Sequence, residues 1–345
     1  ISNPFLPNKI DQGDIDSIRE CIGCNVCAGE VMNNTAIRCT QNPSVGEEHR
    51  SGWHPERVPQ AHDEGNSILV IGGGPAGLEA ALTLGKRGYQ VTIADAGNEW
   101  GGRLIQERKM PRLSAWGRVI DHRVGLLQVM PNVQMYLDSP LGADDVQGFE
   151  ADHVIVATGA SWREDGTGRS HDEPVPGWDQ GHVYSPSQIL RGELPEGKIA
   201  VYDDDFYYMA ATIVDALLAA GRQVIYITSA AVPVPWSINT LEQDHVIQSM
   251  NDAGVEILVG KTIDEIGVDG LLINDSITGA ATPLKADAVV LVTGQVANDK
   301  LYYELQEKQE SGELASLERI GDCVSPALIA QSTHDGRAAG IRYGS

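Results

Sequence analysis

The sequence predicts an α/β protein made of two Rossmann-like units, preceded by a loop-rich segment that carries most of the cysteines. Three observations carry this prediction. Two runs read as strand, helix, strand at the spacing of a βαβ unit, one over residues 67–95 and one over 198–227. Each is followed further along by an apolar run ending in Thr-Gly, Val154 to Gly159 and Val289 to Gly294, so the pattern reads as an internal duplication. Upstream, residues 21–66 have little periodicity and are rich in Cys, Asn, Gly and charge. The predicted division is 1–66 for the leading segment, 67–165 with 281–345 for a first nucleotide-binding domain, and 166–280 for a second.

In chain order, residues 1–20 form a short polar lead-in containing Pro4 and Pro7. The segment that follows is loop-dominated and needs a bound centre to order it. Ser67 to Ile71 is a short apolar run with β-branched residues, as a buried parallel strand requires. Leu78, Ala81, Leu82 and Leu84 recur at helical spacing over 75–87, and Gly88 stops that helix. Val91 to Ala94 is the next strand, closed by Asp95. In the second unit, 198–202 reads as a strand, 209–220 as a helix stopped by Gly221, and 223–227 as the next strand. There is no short-period repeat and no low-complexity tract.

At 345 residues, with 42% hydrophobic and 21% charged residues, the chain is an ordinary globular protein of about two domains. No run approaches the 18 apolar residues of a membrane span. Its 48 acids against 25 bases give a net charge of -23, which disfavours nucleic acid and anionic membranes as partners. That charge suits solubility, a salty cytoplasm or a cationic protein partner. The chain starts at Ile1 rather than Met, which reads as a processing site, a cut or the edge of a larger polypeptide.

Four of the five cysteines, Cys21, Cys24, Cys27 and Cys39, fall within 19 residues. Such clustering argues for a metal centre in a reducing, cytoplasmic compartment rather than a secreted disulfide framework. Two-residue gaps let one tight turn aim three sulfurs at a single cube, and Cys39 can close its fourth corner. That spacing suits a [4Fe-4S] cluster. Zinc prefers paired Cys-x-x-Cys hooks or mixed ligands; a zinc knuckle and free thiols are the alternatives. Thr40 follows Cys39 where the bacterial ferredoxin run places Pro. Cys323 lies far off and reads as a small residue beside a nucleotide. His54 reads as a capping or packing group rather than an iron ligand.

Gly72-x-Gly74-Pro75-Ala76-Gly77 is a dinucleotide fingerprint with its full context, a strand before and a helix after. The first glycine permits the turn, the second lets backbone approach a pyrophosphate, and the third lets helix and strand pack. The helix N-terminus then faces the phosphates. Asp95, followed by Ala96, can accept hydrogen bonds from an adenosine ribose. Gly102-Arg103 and Ala157-Thr158-Gly159 favour an FAD or ADP site over an NAD site, and Gly321-Asp322 resembles the Gly-Asp that contacts the flavin side of the nucleotide in flavoprotein disulfide-reductase-like folds.

In the second unit the glycines are gone. Asp203-Asp204-Asp205-Phe206-Tyr207-Tyr208 stands where the fingerprint belongs. Carboxylates there repel a pyrophosphate and fill its space, so this half is expected to keep the fold and to have lost NAD(P)H binding. The three acids are expected to form a solvated helix cap. Tyr207, Tyr208, Trp100 and Trp116 are expected to pack rather than to cover a base.

Cys21-Ile22-Gly23-Cys24-Asn25-Val26-Cys27, Arg38-Cys39-Thr40-Gln41-Asn42-Pro43, Gly46-Glu47-Glu48 and Gly52-Trp53-His54-Pro55-Glu56 together resemble the linker of the trimethylamine, dimethylamine and histamine dehydrogenase family. The resemblance runs on through the Gly72 fingerprint, the Asp-rich second unit and Gly321-Asp322, and covers essentially the whole chain. It implies two FAD/NAD(P)-binding, disulfide-reductase-like domains behind a 4Fe-4S segment. It also implies an FMN-bearing TIM barrel related to old yellow enzyme, missing here, which would hold the substrate pocket and all catalytic acid–base groups. No catalytic residue is therefore assigned. In such enzymes electrons leave FMN, pass through the cluster and reach an electron-transferring flavoprotein. The resemblance further implies ADP or FAD in the first unit, with ADP favoured because a flavin there has no evident donor, and a homo-oligomer. The alternatives are a stand-alone redox adaptor and an NADPH-dependent dienoyl-CoA reductase-like enzyme. The second alternative keeps a second glycine fingerprint that this chain lacks.

Overall fold

In the computed structural model, residues 1–62, 65–312, 314 and 316–344 are described. The chain folds as two compact units. The first contains residues 1–108, 115–160 and 297–345, the second 109–114 and 161–296.

The first unit is built on a five-stranded parallel sheet. Its order is Leu317–Arg319, His153–Val156, Ser67–Ile71, Gln90–Ala94, Val133–Tyr136. The central strand is apolar on both faces, with Ile68, Leu69 and Val70 at most 1% exposed, so it is covered from both sides. Helix Pro75–Arg87 starts on proline, which fits the first turn of a helix. It ends at Gly88 in the left-handed conformation. Its apolar face joins Ile68, Val70, Val91 and Ile93 in one core, and helix Ile329–Arg342 packs alongside it.

The second unit repeats the plan. Its sheet runs Val183–Tyr184, Ala288–Val292, Lys198–Asp203, Gln223–Thr228, Glu256–Val259, again all parallel. Helix Tyr208–Ala219 follows the central strand. A ribbon of three antiparallel strands, Lys261–Gly267, Gly270–Asp275 and Ala281–Leu284, is inserted between strands Glu256–Val259 and Ala288–Val292. Four strands correspond one for one. The edge strand comes last in the chain in the first unit and first in the second, which supports the duplication read from the two Thr-Gly runs.

Two expectations need correction. Strand Ala288–Val292 pairs with Lys198–Asp203, so residues 281–296 belong to the second unit, not the first. The apolar run and its Thr-Gly were read as a return to the first domain, whereas they are the second domain's own fourth strand. On the other side the chain leaves the first unit after Ala160, five residues earlier than the expected boundary at 165. The leading segment also holds two short helices, Leu6–Gln12 and Val26–Met32, within stretches read as lead-in and loop. Each has seven residues, too short for periodicity to reveal. Among the described residues no helix is long and apolar enough to cross a membrane.

Candidate functional site

The fingerprint turn of the first unit is open. Gly72 has φ +109°, and a Cβ there would lie 2.3 Å from the Ala157 carbonyl oxygen, so only glycine fits where the two strand ends meet. A Cβ on Gly77 would sit 1.9 Å from the Gly72 carbonyl oxygen, so the helix presses directly on the turn. Gly74, between them, faces open space, with nothing within 4 Å of the Cβ position. It is the N-cap of helix Pro75–Arg87, and no side chain caps the helix. The positive end of the helix therefore meets a bare cradle, the arrangement that receives a phosphate.

The surrounding loops converge on that cradle. Asp95 accepts hydrogen bonds from the Gly73 N–H at 2.5 Å and the Gly97 N–H at 2.7 Å, which fixes the carboxylate at the end of its strand. Ala96 beside it is exposed. Trp100 lies over Gly73, where a Cβ would meet its ring at 2.4 Å; it packs on the turn. Gly102 approaches the Gly74 backbone. Arg103 follows and bonds Glu107 at 2.8 Å and Asp322 at 3.2 Å. Gly321 touches Ala76, the second residue of the fingerprint helix. Asp322 also accepts from Ser332 Oγ at 3.0 Å. Thr158 Oγ1 donates to the Asn298 carbonyl at 2.6 Å and to Cys323 Sγ at 3.3 Å, and Gly159 follows with φ +73°. Cys323 is fully buried next to Thr158, as a small packing residue. All the predicted nucleotide residues thus lie on the turn, the helix start and the loops around them.

Of the four clustered cysteines, Cys21 is exposed, and Cys24, Cys27 and Cys39 are half-buried. All are free thiols. Burial pushes the Cys24 thiol pKa up, and the neighbouring Cys27 and Cys21 add to that rise. Burial likewise raises Cys39, with Cys24 and Cys27 adding to it. Backbone N–H groups turn toward them: Gly23 to Cys21 at 3.4 Å, Val26 to Cys24, and Gln41 and Asn42 to Cys39. Thr40 Oγ1 lies 3.2 Å from Cys24 Sγ. Such N–H groups favour the thiolate form that binds metal. Among the described residues no three His, Cys, Asp or Glu side chains stand close enough to hold a single ion. His54 is no part of the cluster. Its Nδ1 accepts from the Glu56 and Arg57 N–H groups at 3.1 and 2.9 Å, and it stacks on Phe5.

One set of residues was not foreseen. Arg123, 0% exposed, bonds Glu79 at 2.8 Å, the Gln41 side chain at 3.1 Å and the Gln41 carbonyl at 3.3 Å. It ties the loop after Cys39 to the fingerprint helix. In sequence it is one arginine in helix Arg118–Gln128, and nothing marks it as buried.

In the second unit the place of the fingerprint is filled. Asp203 and Asp204 are 0% exposed, so they are not the solvated cap expected of them. The strand runs on through Asp203 and turns both carboxylates inward, and helix Tyr208–Ala219 begins behind Tyr207 without a side-chain cap. Asp203 accepts from the Tyr226 hydroxyl and from the Phe206 N–H at 2.8 Å. Asp204 accepts from the Ser170 N–H at 2.8 Å, Ser170 Oγ at 2.6 Å and Ser229 Oγ at 3.1 Å. Gly168 is packed so tightly that a Cβ would lie 2.6 Å from Asp204. The chain's own residues 167–170 occupy the end of this strand. Tyr207 and Tyr208 pack edge to face on each other.

Residues 66–188 match the pyridine nucleotide-disulphide oxidoreductase family. The chain is 34% identical over 368 residues to dimethylamine dehydrogenase of Hyphomicrobium sp. (strain x), covering 97% of this chain and 50% of that protein. The structure of 6-hydroxypseudooxynicotine amine oxidase from Pseudomonas geniculata N1 superposes with a TM-score of 0.98 at 64% identity, over all of this chain and 52% of that one. Histamine dehydrogenase from Rhizobium sp. 4-9 superposes with a TM-score of 0.96 at 41% identity, over all of this chain and 54% of that one. The chain thus spans about half the length of these relatives. It is a chain of two Rossmann-like units, homologous to dimethylamine dehydrogenase and histamine dehydrogenase over the half of them that it spans.

Proposed function

We propose that this chain is the electron-transfer portion of an iron–sulfur amine dehydrogenase or N-demethylase. The observation that carries the reading is the spacing of four cysteines within 19 residues on a unit whose nucleotide cradle is open. Cys21, Cys24, Cys27 and Cys39 would hold a [4Fe-4S] cluster. Three cysteines from one hook with a remote fourth suit the corners of a cube better than a lone tetrahedral ion. When bound, such a cluster supplies one-electron transfer.

The cradle at Gly72, Gly74 and Gly77, with Asp95 at the ribose end, would take ADP or FAD. Arg103 places a cation beside the turn, which favours ADP ending in a phosphate there. Substrate oxidation belongs to an FMN-bearing TIM barrel, in the same polypeptide or a separate subunit. The relatives named for dimethylamine, histamine and 6-hydroxypseudooxynicotine make an amine the substrate class of the whole protein. An electron-transferring flavoprotein is the acceptor, and the working particle is a homo-oligomer in the cytoplasm.

Iron and acid-labile sulfide content, with the nucleotide released on denaturation, test the reading. A [4Fe-4S] stoichiometry with ADP is expected. In Cys39→Ala the four-iron spectrum should be lost. A variant that keeps it would show that the ligand set is wrong, and an iron-free native protein would leave only a nucleotide-binding adaptor.

A further inference from the structure

The first unit buries a store of positive charge, although the chain as a whole carries -23. Lys9, Arg19, Arg87, Arg123 and Arg337 are all less than 10% exposed. Half-buried Lys86 lies among them, and burial, then Arg19, lowers its pKa to about 8. The carboxylates paired with this group are few. Glu56 meets Lys9 at 3.2 Å and Arg19 at 2.8 Å, and Glu79 meets Arg123 at 2.8 Å. Arg87 and Arg337 bond backbone carbonyls instead. Buried cations that outnumber their carboxylates are costly unless a further anion answers them.

The arrangement around Arg123 shows where such an anion would be. Its guanidinium is fixed on three sides by Glu79, Gln41 and the Val119 carbonyl at 2.9 Å. Gln41 is two residues past Cys39, and its N–H faces the Cys39 sulfur. Arg123 is itself within electrostatic reach of Cys39.

We infer that Arg123 is a positioning residue of the cysteine-held cluster: its buried charge, oriented by Glu79 and bonded to Gln41, stabilises the reduced form and raises the reduction potential. The inference rests on the iron–sulfur reading proposed above. Reduction adds one electron to the centre. No bond forms or breaks and no proton is taken up, so the centre becomes one charge more negative. A fixed cation behind a thiolate corner favours that form. A carboxylate at the same depth opposes it.

The test is a dithionite titration of the full chain with its cluster, followed by electron paramagnetic resonance, after iron has been counted in each protein. Arg123→Met is expected to shift the midpoint potential down. Glu79→Gln is expected to shift it up, and Arg123→Lys to stay closest to the parent. A purely structural role would not give shifts of opposite sign. If Arg123→Met loses its iron, the upward shift expected of Glu79→Gln, against an Arg123→Lys that stays near the parent, still decides. Parent protein with a full complement of iron, and potentials that do not move in Glu79→Gln or move the same way in all variants, would overturn this inference and leave the cluster reading intact. Parent protein without iron would overturn both.

Discussion

The two units share a sheet order, a central strand and a helix after it, yet they treat the end of that strand in opposite ways. In the first, three glycines keep the turn bare, and the helix N-terminus opens on space. In the second, Asp203 and Asp204 turn inward and are satisfied by Tyr226, Phe206, Ser170 and Ser229. The same fold thus carries a receptacle in one copy and a filled socket in the other. The sheet is held by apolar strands that either turn tolerates, so fold and binding are separable properties. The cysteine segment also belongs to the first unit, through Arg123 and through Thr333 Oγ1, which donates to the Thr40 carbonyl at 3.2 Å. The four clustered cysteines and the bare glycine turn thus lie in the same unit.

The strongest way to break the contrast is to fill the first turn as well. Gly77→Val puts a branched side chain where even a Cβ would be 1.9 Å from the Gly72 oxygen and 3.3 Å from Ala157 Cβ. Helix and strand must part, at a cost of at least about 3 kcal/mol, the upper range for overpacking. The expected outcome is a large fall in the melting midpoint together with loss of bound nucleotide. A variant that melts and binds like the parent would mean that the turn is looser than the contacts require.

A direct comparison of ligands comes next. Isothermal titration of nucleotide-free protein should show ADP binding with one site per chain, and NADH and NADPH should show no saturable binding at micromolar concentrations. The physical ground is the pair of buried acids: a pyrophosphate placed at the second strand end would meet Asp204 and the chain at Gly168. Saturable NADH binding would show that the second unit binds nucleotide by another route.

Most of this contrast was legible in the sequence. The strands at 67–71 and 198–202, the helix at 75–87 and its stop at Gly88 follow from apolar runs and glycine placement, which are local signals. The fingerprint and the cysteine spacing are likewise local signals. What stayed hidden depends on distant residues. The acids at 203 and 204 read as a solvated cap because their partners, Tyr226, Ser170 and Ser229, lie 23 to 34 positions away. Arg123 looks like any arginine of a surface helix until Gln41, 82 positions upstream, and Glu79 are folded onto it. The boundary near 281 failed because a Thr-Gly ending marks a fourth strand in either copy and does not say which.

The smallest effect sharpens the comparison through pH. Burial, with the charge of Asp205 adding to it, pushes the Asp203 pKa up to about 7, while the Tyr226 hydroxyl works the other way. The folded protein therefore prefers Asp203 protonated, and the unfolded chain, near 3.8, does not. Stability from this preference is fully present below pH 3.8 and is lost as pH rises through 7. Asp203→Asn keeps the shape and removes the proton. Above pH 7 the variant should melt higher than the parent by a few degrees, on the order of 1 kcal/mol. Near pH 5 the advantage should shrink or reverse, because there the parent carboxyl is protonated and costs nothing to bury. If Asp203→Asn leaves the slope of melting midpoint against pH unchanged, the carboxylate is ionised and fully compensated inside the fold, and the second socket is closed by hydrogen bonds to a charged acid rather than by a buried neutral one.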